Sequence, residues 1–325
     1  MKVLVVGLGS MGKRRIRLLR QISLEFEIIG VDTNNDRRKY CENEFSIYTE
    51  GSLDDILEVV KFDVAFICTS PLSHSQIITK CLNKKIDIFS ELNLVADGYE
   101  QNISLAKNNK NILFLSSTFM YREEIIKINE LLTKTSLHTN YIYHIGQYLP
   151  DWHPWENYSD FFVGDVRTNG CREIFAIELP WLIKVFGNIS KITTEKRKIS
   201  ELNINYNDSY MLLVEHESGH KGMLAVDVVS RRPVRNLEIY NEEIYLQWNG
   251  SPNGLFLYDS EKKENVPIQL YNEVDRIDNY SDFIVENAYL NEIISFFECV
   301  NKRINNEYGF EEDIKVINLI DKIEA

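Results

Sequence analysis

The chain has 325 residues, enough for two domains that each bury a core, and it is 44% hydrophobic, 26% charged and 11% aromatic, the balance of a globular protein. Its formal charge of −13 disfavours nucleic acid or an anionic membrane surface as partner, though not a nucleotide held by local dipoles. Five scattered cysteines without a C-x-x-C pair fit a reducing cytoplasm and offer no zinc signature, and no apolar run of membrane-spanning length or signal peptide is read.

The first twelve residues, MKVLVVGLGSMG, organise the rest. Val3 to Val6 reads as a strand buried on both faces, and Gly7, Gly9 and Gly12 follow in the spacing G-x-G-x-x-G, with a helix from Lys13 to Gln21. The glycines serve a tight turn, close approach to a pyrophosphate and close helix–strand contact, and the unpaired N–H groups of the helix start face the phosphates. Leu8, Ser10 and Met11 complete the loop. A second strand, Ile28 to Val31, ends in Asp32, twenty residues after Gly12. A carboxylate there binds both ribose hydroxyls of NAD and repels the 2′-phosphate of NADP, so NAD is the expected cofactor; Arg37 and Arg38 nearby keep NADP in view.

Up to about residue 120, strands and helices alternate, which predicts a parallel sheet with crossover helices. A polar helix is expected near Asn35 to Asn43, a short strand at Ser46 to Tyr48, and a helix capped by Ser52. Val64 to Cys68 is a buried strand ending in Thr69-Ser70-Pro71, where the proline turns the chain into a helix from Ser73 to Asn83 that carries His74 beside the cofactor site. Strand Ile86 to Phe89 leads directly to Glu91; helix Tyr99 to Asn108 and strand Ile112 to Ser116 follow. From Tyr121 the pattern changes. One helix, Glu123 to Leu132, is followed by long alternating segments at Tyr141–Leu149, Ile189–Ser200, Ser209–Glu217, His220–Val229, Asn236–Tyr240 and Ile244–Trp248, which predict an open, mostly antiparallel sheet. Helices are expected near Glu173–Phe186, Tyr289–Lys302 and Glu311–Ile323. The fold class is α/β plus α+β: a Rossmann domain over 1–120 and a substrate-binding, oligomerising α+β domain over 121–325.

GLGSMG, TSPLSH at Thr69 to His74, the glutamate after the fifth strand and the helix-then-open-sheet second half together resemble the Gfo/Idh/MocA family, named for glucose–fructose oxidoreductase and inositol 2-dehydrogenase. GQYLPDWHPW (Gly146 to Trp155) and SRRPVR (Ser230 to Arg235) look like a branch associated with bacterial surface-sugar pathways. The resemblance implies hydride transfer between a sugar hydroxyl carbon and NAD(P), with the substrate on the second-domain sheet, and a homo-oligomer; the expected bareness of that sheet's outer face points the same way. Thr69, Ser70, Pro71, His74 and Glu91 become cofactor-site residues by it. Two departures stand out. The family's Glu-Lys-Pro is Glu91-Leu92-Asn93 here, without the proton-transferring lysine, and the helix that carries the family's Asp and His reads NGCREIFAIELPWLIKVFG, Asn169 to Gly187. Anchored on Gly170, the His position holds Glu178; anchored on Gly187, the Asp position holds Glu173.

Either glutamate can serve as the base that oxidation of a secondary alcohol requires, if burial raises its pKa. Five residues apart, they point about 140° away from each other on a helix. The alternative is a buried carboxylate paired with Arg172 or Arg235. Trp152 and His153, in an aromatic turn-rich run, are candidates to touch a sugar, as are Tyr121 and Arg122 where the chain leaves the first domain; a surface loop and a structural arginine are the plainer readings. No metal constellation is present in the spacing of the histidines. The alternative function is a nucleotide-binding sensor or assembly protein without turnover, and a third is an enzyme that uses a permanently bound NAD transiently.

Overall fold

The computed structural model describes residues 1–152, 157–274 and 283–325. The chain divides into two compact units: Met1–Ser117 with Tyr289–Ile317, and Thr118–Ala288 with Asn318–Ala325. The second half is therefore not one continuous domain, because residues 289–317 return to the first unit.

The first unit is a six-stranded parallel sheet in the order β3-β2-β1-β4-β5-β6. Its strands are β1 (Lys2–Val6), β2 (Glu27–Val31), β3 (Tyr48–Glu50), β4 (Val64–Ile67), β5 (Asp87–Ser90) and β6 (Leu113–Leu115). They alternate with α1 (Ser10–Ile22), α2 (Asn35–Phe45), α3 (Leu53–Val59), α4 (Pro71–Asn83) and α5 (Tyr99–Asn109). Val3, Leu4 and Val5 are fully buried, as a strand covered on both faces requires. Local capping matches the sequence: Ser52 accepts from the Asp55 N–H, and Pro71 sits in the first turn of α4, where its missing donor costs nothing. The order of strands reverses between β1 and β4, which opens a crevice at their carboxyl ends. Beneath it, Phe66, Phe89 and Phe114 stack on neighbouring strands and Phe296 of α8 (Glu286–Lys302) packs edge-on against all three. That apolar contact explains why most of α8 belongs to this unit.

The second unit holds an eight-stranded sheet in the order β14-β13-β12-β11-β7-β10-β9-β8. The strands are β7 (Asn140–Gly146), β8 (Ile189–Arg197), β9 (Ser209–His216), β10 (Lys221–Asp227), β11 (Val234–Tyr240), β12 (Tyr245–Trp248), β13 (Leu255–Asp259) and β14 (Glu264–Pro267). All neighbours are antiparallel except β7 and β10. One face is covered by α7 (Gly170–Phe186): Tyr141 stacks on Phe186, and Tyr143 and Tyr210 meet Trp181 and Phe175 edge-on. The outer face shows its alternation openly, with Met211, Leu213, Met223 and Ile142 41–66% exposed. Helices α6 (Glu123–Leu132) and α9 (Phe310–Glu324) complete the set. The expected fold class is the observed one. The β13–β14 hairpin escaped the sequence reading because the charged run Glu261 to Glu264 masks its alternation.

Candidate functional site

In the first unit, β1 runs into Gly7, whose φ of +92° no side chain takes comfortably, and whose added Cβ would lie 2.6 Å from the Cys68 carbonyl oxygen. A Cβ at Gly12 would lie 1.9 Å from the Gly7 oxygen, whereas one at Gly9 would meet nothing nearer than Arg37 at 3.9 Å. The loop thus closes tightly at both ends and leaves open space above its middle glycine. Gly9 caps α1 with no side-chain bond, so the helix starts with bare N–H groups and its positive dipole end. These residues fit a dinucleotide, since a backbone cradle of this kind suits a pyrophosphate. Leu8 turns its side chain into the core against Gly30 and offers only its N–H, which donates to Asp32 Oδ2 at 2.8 Å. Asp32 Oδ1 accepts from the Asn34 N–H at 2.8 Å, so the carboxylate staples the glycine loop to the β2–α2 turn and keeps a lone pair on each oxygen for ribose hydroxyls. Ser10 is exposed and Met11 half-buried, its Sδ accepting from Arg14.

Across the crevice, Thr69, Ser70 and Pro71 form the β4–α4 turn against Gly7. His74 is buried behind it, with Nε2 2.8 Å from the Thr69 carbonyl oxygen and Nδ1 2.7 Å from Asn93 Oδ1. Burial holds the His74 pKa below its ordinary value, against the raising effect of its two hydrogen-bond partners, and the ring braces the turn. Glu91 is engaged elsewhere. It takes Arg15 in a fork, Nε at 2.5 Å and Nη2 at 3.1 Å, and Arg15 also meets Glu292 at 2.8 Å, all three buried. This network anchors the end of β5, and Leu92 follows where the resemblance implied a lysine.

In the second unit, Glu178 is fully buried with every acceptor direction used. Arg235 donates to Oε1 from Nε at 3.1 Å and Nη2 at 2.7 Å; the Tyr143 hydroxyl and Trp181 Nε1–H donate to Oε2 at 2.8 and 2.7 Å. Burial, reinforced by the Glu178 charge, pushes the Tyr143 phenol well up, which keeps it a donor. Glu173 is the opposite case. It lies on the least covered stripe of α7, with Ile177 and Lys184, yet its Oε2 is enclosed and has no hydrogen-bond partner among the described residues. Desolvation alone raises its pKa to about 7. The structure thus separates two acids that the sequence left equivalent: one is spent on an arginine, the other is free to gain and lose a proton near neutrality.

The remaining sequence candidates divide in the same way. Arg122 is buried and held by four hydrogen bonds, with Glu124 on Nε and Nη2 and the carbonyls of Phe283 and Gly250 on Nη1 and Nη2. It serves the core of the second unit. Arg172 pairs with Asp321 at 2.6 Å and with Glu324. Arg235 stands with its guanidinium 4.5 Å from the Phe119 ring and a side-chain exposure of 12%. Trp152 Nε1–H donates to the Gln147 carbonyl, and its ring lies beside Gly170, which draws it into the packing of α7. Tyr121 ends a short 3₁₀ turn, Thr118–Tyr121, and is half-buried. His153 lies outside the described residues. What sequence reasoning missed is Asn93, the partner that fixes His74; its only signal was a polar residue directly after a strand end.

Comparison with known proteins follows this geometry. Residues 1–117 match the model of the Gfo/Idh/MocA oxidoreductase family, NAD-binding Rossmann fold. No curated protein matches the sequence. The fold of the whole chain is shared with solved oxidoreductases of low identity. Levoglucosan dehydrogenase in complex with NADH and L-sorbose aligns over 100% of this chain and 95% of its own at 11% identity and a TM-score of 0.81. Myo-inositol 2-dehydrogenase from Lactobacillus plantarum aligns over 99% and 96% at 12% identity, TM-score 0.78. UDP-N-acetylglucosamine 3-dehydrogenase from Acidithiobacillus ferrooxidans aligns over 100% and 96% at 14% identity, TM-score 0.74. No helix among the described residues is long and apolar enough to cross a membrane.

Proposed function

We propose that this chain is an NAD-dependent oxidoreductase that passes a hydride between a sugar hydroxyl carbon and the nicotinamide. The observation that carries the reading is the first unit's phosphate cradle: a glycine loop closed at Gly7 and Gly12, open over Gly9, on an uncapped helix start, with Asp32 tied to the loop. Bound NAD supplies the hydride acceptor; the chain must hold it, orient the sugar and take the hydroxyl proton. Thr69, Ser70 and Pro71 shape the crevice beside the loop and His74 holds their turn. The solved proteins of this fold that act on sugars, one of them a nucleotide sugar by its name, support the substrate class. The motifs shared with surface-sugar branches support a nucleotide or acidic sugar destined for a bacterial surface glycan, within the cytoplasm.

Glu173 is the proton acceptor in this reading, and Glu178 the residue that holds Arg235 in place for substrate. With a pKa raised to about 7, Glu173 is protonated below that pH and cannot accept a proton; above it, the carboxylate form predominates. In the oxidising direction kcat/KM is expected to fall as pH drops through about 7 in the wild type. Glu173→Gln is expected to lose that limb together with ~10²–10⁴-fold in rate. A panel of nucleotide sugars assayed by NADH absorbance checks both, and a variant that retained rate and pH profile would remove Glu173 from the role.

One observation favours the second reading. Leu92 stands where the family has its lysine, which suits a nucleotide-binding sensor or assembly protein. NADH binding without turnover on any of the sugars is the outcome that selects it.

The homo-oligomer is proposed to form through the second unit's outer sheet face. Met223 lies directly across from Leu213 on one side and Ile142 on the other, and Met211 across from Ala225, so these side chains form one apolar patch. Charges of both signs flank it, Lys191 and Lys221 with Glu215 and Glu238, which suits a second copy of the same face. Light scattering at micromolar concentration should give a dimer or larger mass, reduced to a monomer by Leu213→Asp with Met223→Asp; a monomeric wild type rejects the proposal.

A further inference from the structure

The sequence places two arginines, Arg37 and Arg38, in the first turn of α2 just after Asp32. The structure gives them opposite employments. Arg38 folds back under the turn: Nη1 donates to the carbonyls of Asp32 at 2.7 Å and Thr33 at 3.2 Å, and Nη2 to Asn35 Oδ1 at 3.0 Å. It lies over Gly51, where a Cβ would come within 3.4 Å of Nη1. Such a guanidinium is a structural clamp.

The Arg37 backbone N–H donates to Asn34 Oδ1 at 3.1 Å, while its guanidinium makes no hydrogen bond among the described residues. Its side chain is 48% exposed, and Nη1 stands 3.8 Å from Asp32 Oδ2, near enough for charge attraction and too far for a hydrogen bond. The same Nη1 lies 3.9 Å from the point a Cβ on Gly9 would occupy. The arm therefore spans the opening between the carboxylate and the middle glycine of the loop. In a Rossmann unit that opening faces the adenosine ribose, whose 2′ and 3′ oxygens meet the acid at the end of the second strand.

Asp32 alone would repel a 2′-phosphate. Asp32 is, however, held by two backbone N–H groups and cannot swing away, whereas the Arg37 guanidinium rests on that carboxylate alone. A guanidinium in this position cancels the acid's charge and has all five of its donors open to a phosphate.

We propose that Arg37 is a specificity-determining residue for the dinucleotide: it rests on Asp32 when the 2′ position carries a hydroxyl and turns its free donors to a 2′-phosphate when the position carries one. This rests on the dinucleotide-binding reading of the first unit. The chain accordingly accepts NADPH as well as NADH, with Asp32 serving the ribose hydroxyls of one and Arg37 the phosphate of the other.

The test is a binding measurement and needs no substrate. Tryptophan-fluorescence titrations with NADH and NADPH, and calorimetric titrations with 5′-AMP and 2′,5′-ADP as fragments, are made on the wild type, Arg37→Ala and Arg37→Lys. The wild type is expected to bind both dinucleotides. Arg37→Ala should weaken NADPH and 2′,5′-ADP by ~10-fold or more, the worth of a charge-assisted phosphate contact, and leave NADH and 5′-AMP within ~3-fold. Arg37→Lys, which keeps the charge without the fork, should recover part of the lost NADPH affinity. If Arg37→Ala changes the NADPH-to-NADH affinity ratio by less than ~5-fold, or if the wild type binds NADH and rejects NADPH, the proposal is overturned while the dinucleotide reading stands. If the wild type binds neither dinucleotide, the dinucleotide reading itself falls and this assignment with it.

Discussion

Gly12→Ala is expected to abolish NADH binding and to lower the unfolding free energy by ~3 kcal/mol or more, the upper range for forcing a methyl group into filled space. The added Cβ would sit 1.9 Å from the Gly7 carbonyl oxygen, which is backbone and cannot rotate aside, so the loop or the start of α1 must move. Either movement breaks the arrangement of N–H groups that the phosphates need. Gly9→Ala separates the two consequences. Nothing lies within 3.9 Å of its new methyl group, so stability is expected to change by less than ~0.5 kcal/mol while binding is still lost, because the open space is the ligand's. Urea unfolding and NADH fluorescence titration of the two variants make the comparison. A Gly9→Ala protein that binds NADH as well as wild type would show that the space above the loop is not the pyrophosphate site.

Glu178→Ala is expected to cost ~3–5 kcal/mol, the range for removing one partner of a buried ion pair. The cost arises from what is left behind. Arg235, 12% exposed in its side chain, would lose both donors' acceptor, and the buried Tyr143 hydroxyl and Trp181 N–H would each lose their partner. Replacing Glu178 and Arg235 together by methionine should cost less than Glu178→Ala alone, because no uncompensated charge then remains in the core. Glu173→Gln, in contrast, removes a carboxylate that the fold already disfavours. It is expected to leave stability unchanged or raise it, and urea unfolding at pH 8 distinguishes the two glutamates directly. A Glu178→Ala protein as stable as wild type would mean that the four-bond arrangement around this carboxylate contributes little.

Much of the first unit was legible because its signals are local. The glycine spacing, the run Val3 to Val6, Asp32 at a strand end, the Ser52 cap and the Pro71 turn each state a backbone requirement within a few residues of chain. The short β3 was read two residues early, since three residues carry little periodicity. The extent of α8's partnership was not legible either. Its place beside Phe66, Phe89 and Phe114 depends on rings contributed by strands about 180 to 230 residues earlier in the chain.

The candidate site shows the same division more sharply. Glu91 follows a strand, as a cofactor-site residue would, yet its carboxylate is consumed by Arg15, 76 residues away. Arg122 sits at the junction where a ligand contact was expected, and it is claimed by Glu124 and by carbonyls at Gly250 and Phe283. From helical spacing alone, Glu173 and Glu178 are two acids on different faces; which one is paired is settled by Arg235 arriving on β11.

The sequence by itself determined the dinucleotide loop, the order of strands and helices, the two-part architecture and the kinds of side chain available for chemistry. These follow from steric limits on the backbone and from periodic burial, which are properties of neighbouring residues. Only the tertiary structure decided which charges are spent and which are free, because a buried group's partner is chosen by the packing of distant elements. Glu178 was thereby paired with Arg235, Glu173 left with an unpartnered oxygen, Arg38 locked under its turn and Arg37 left open above the glycine loop.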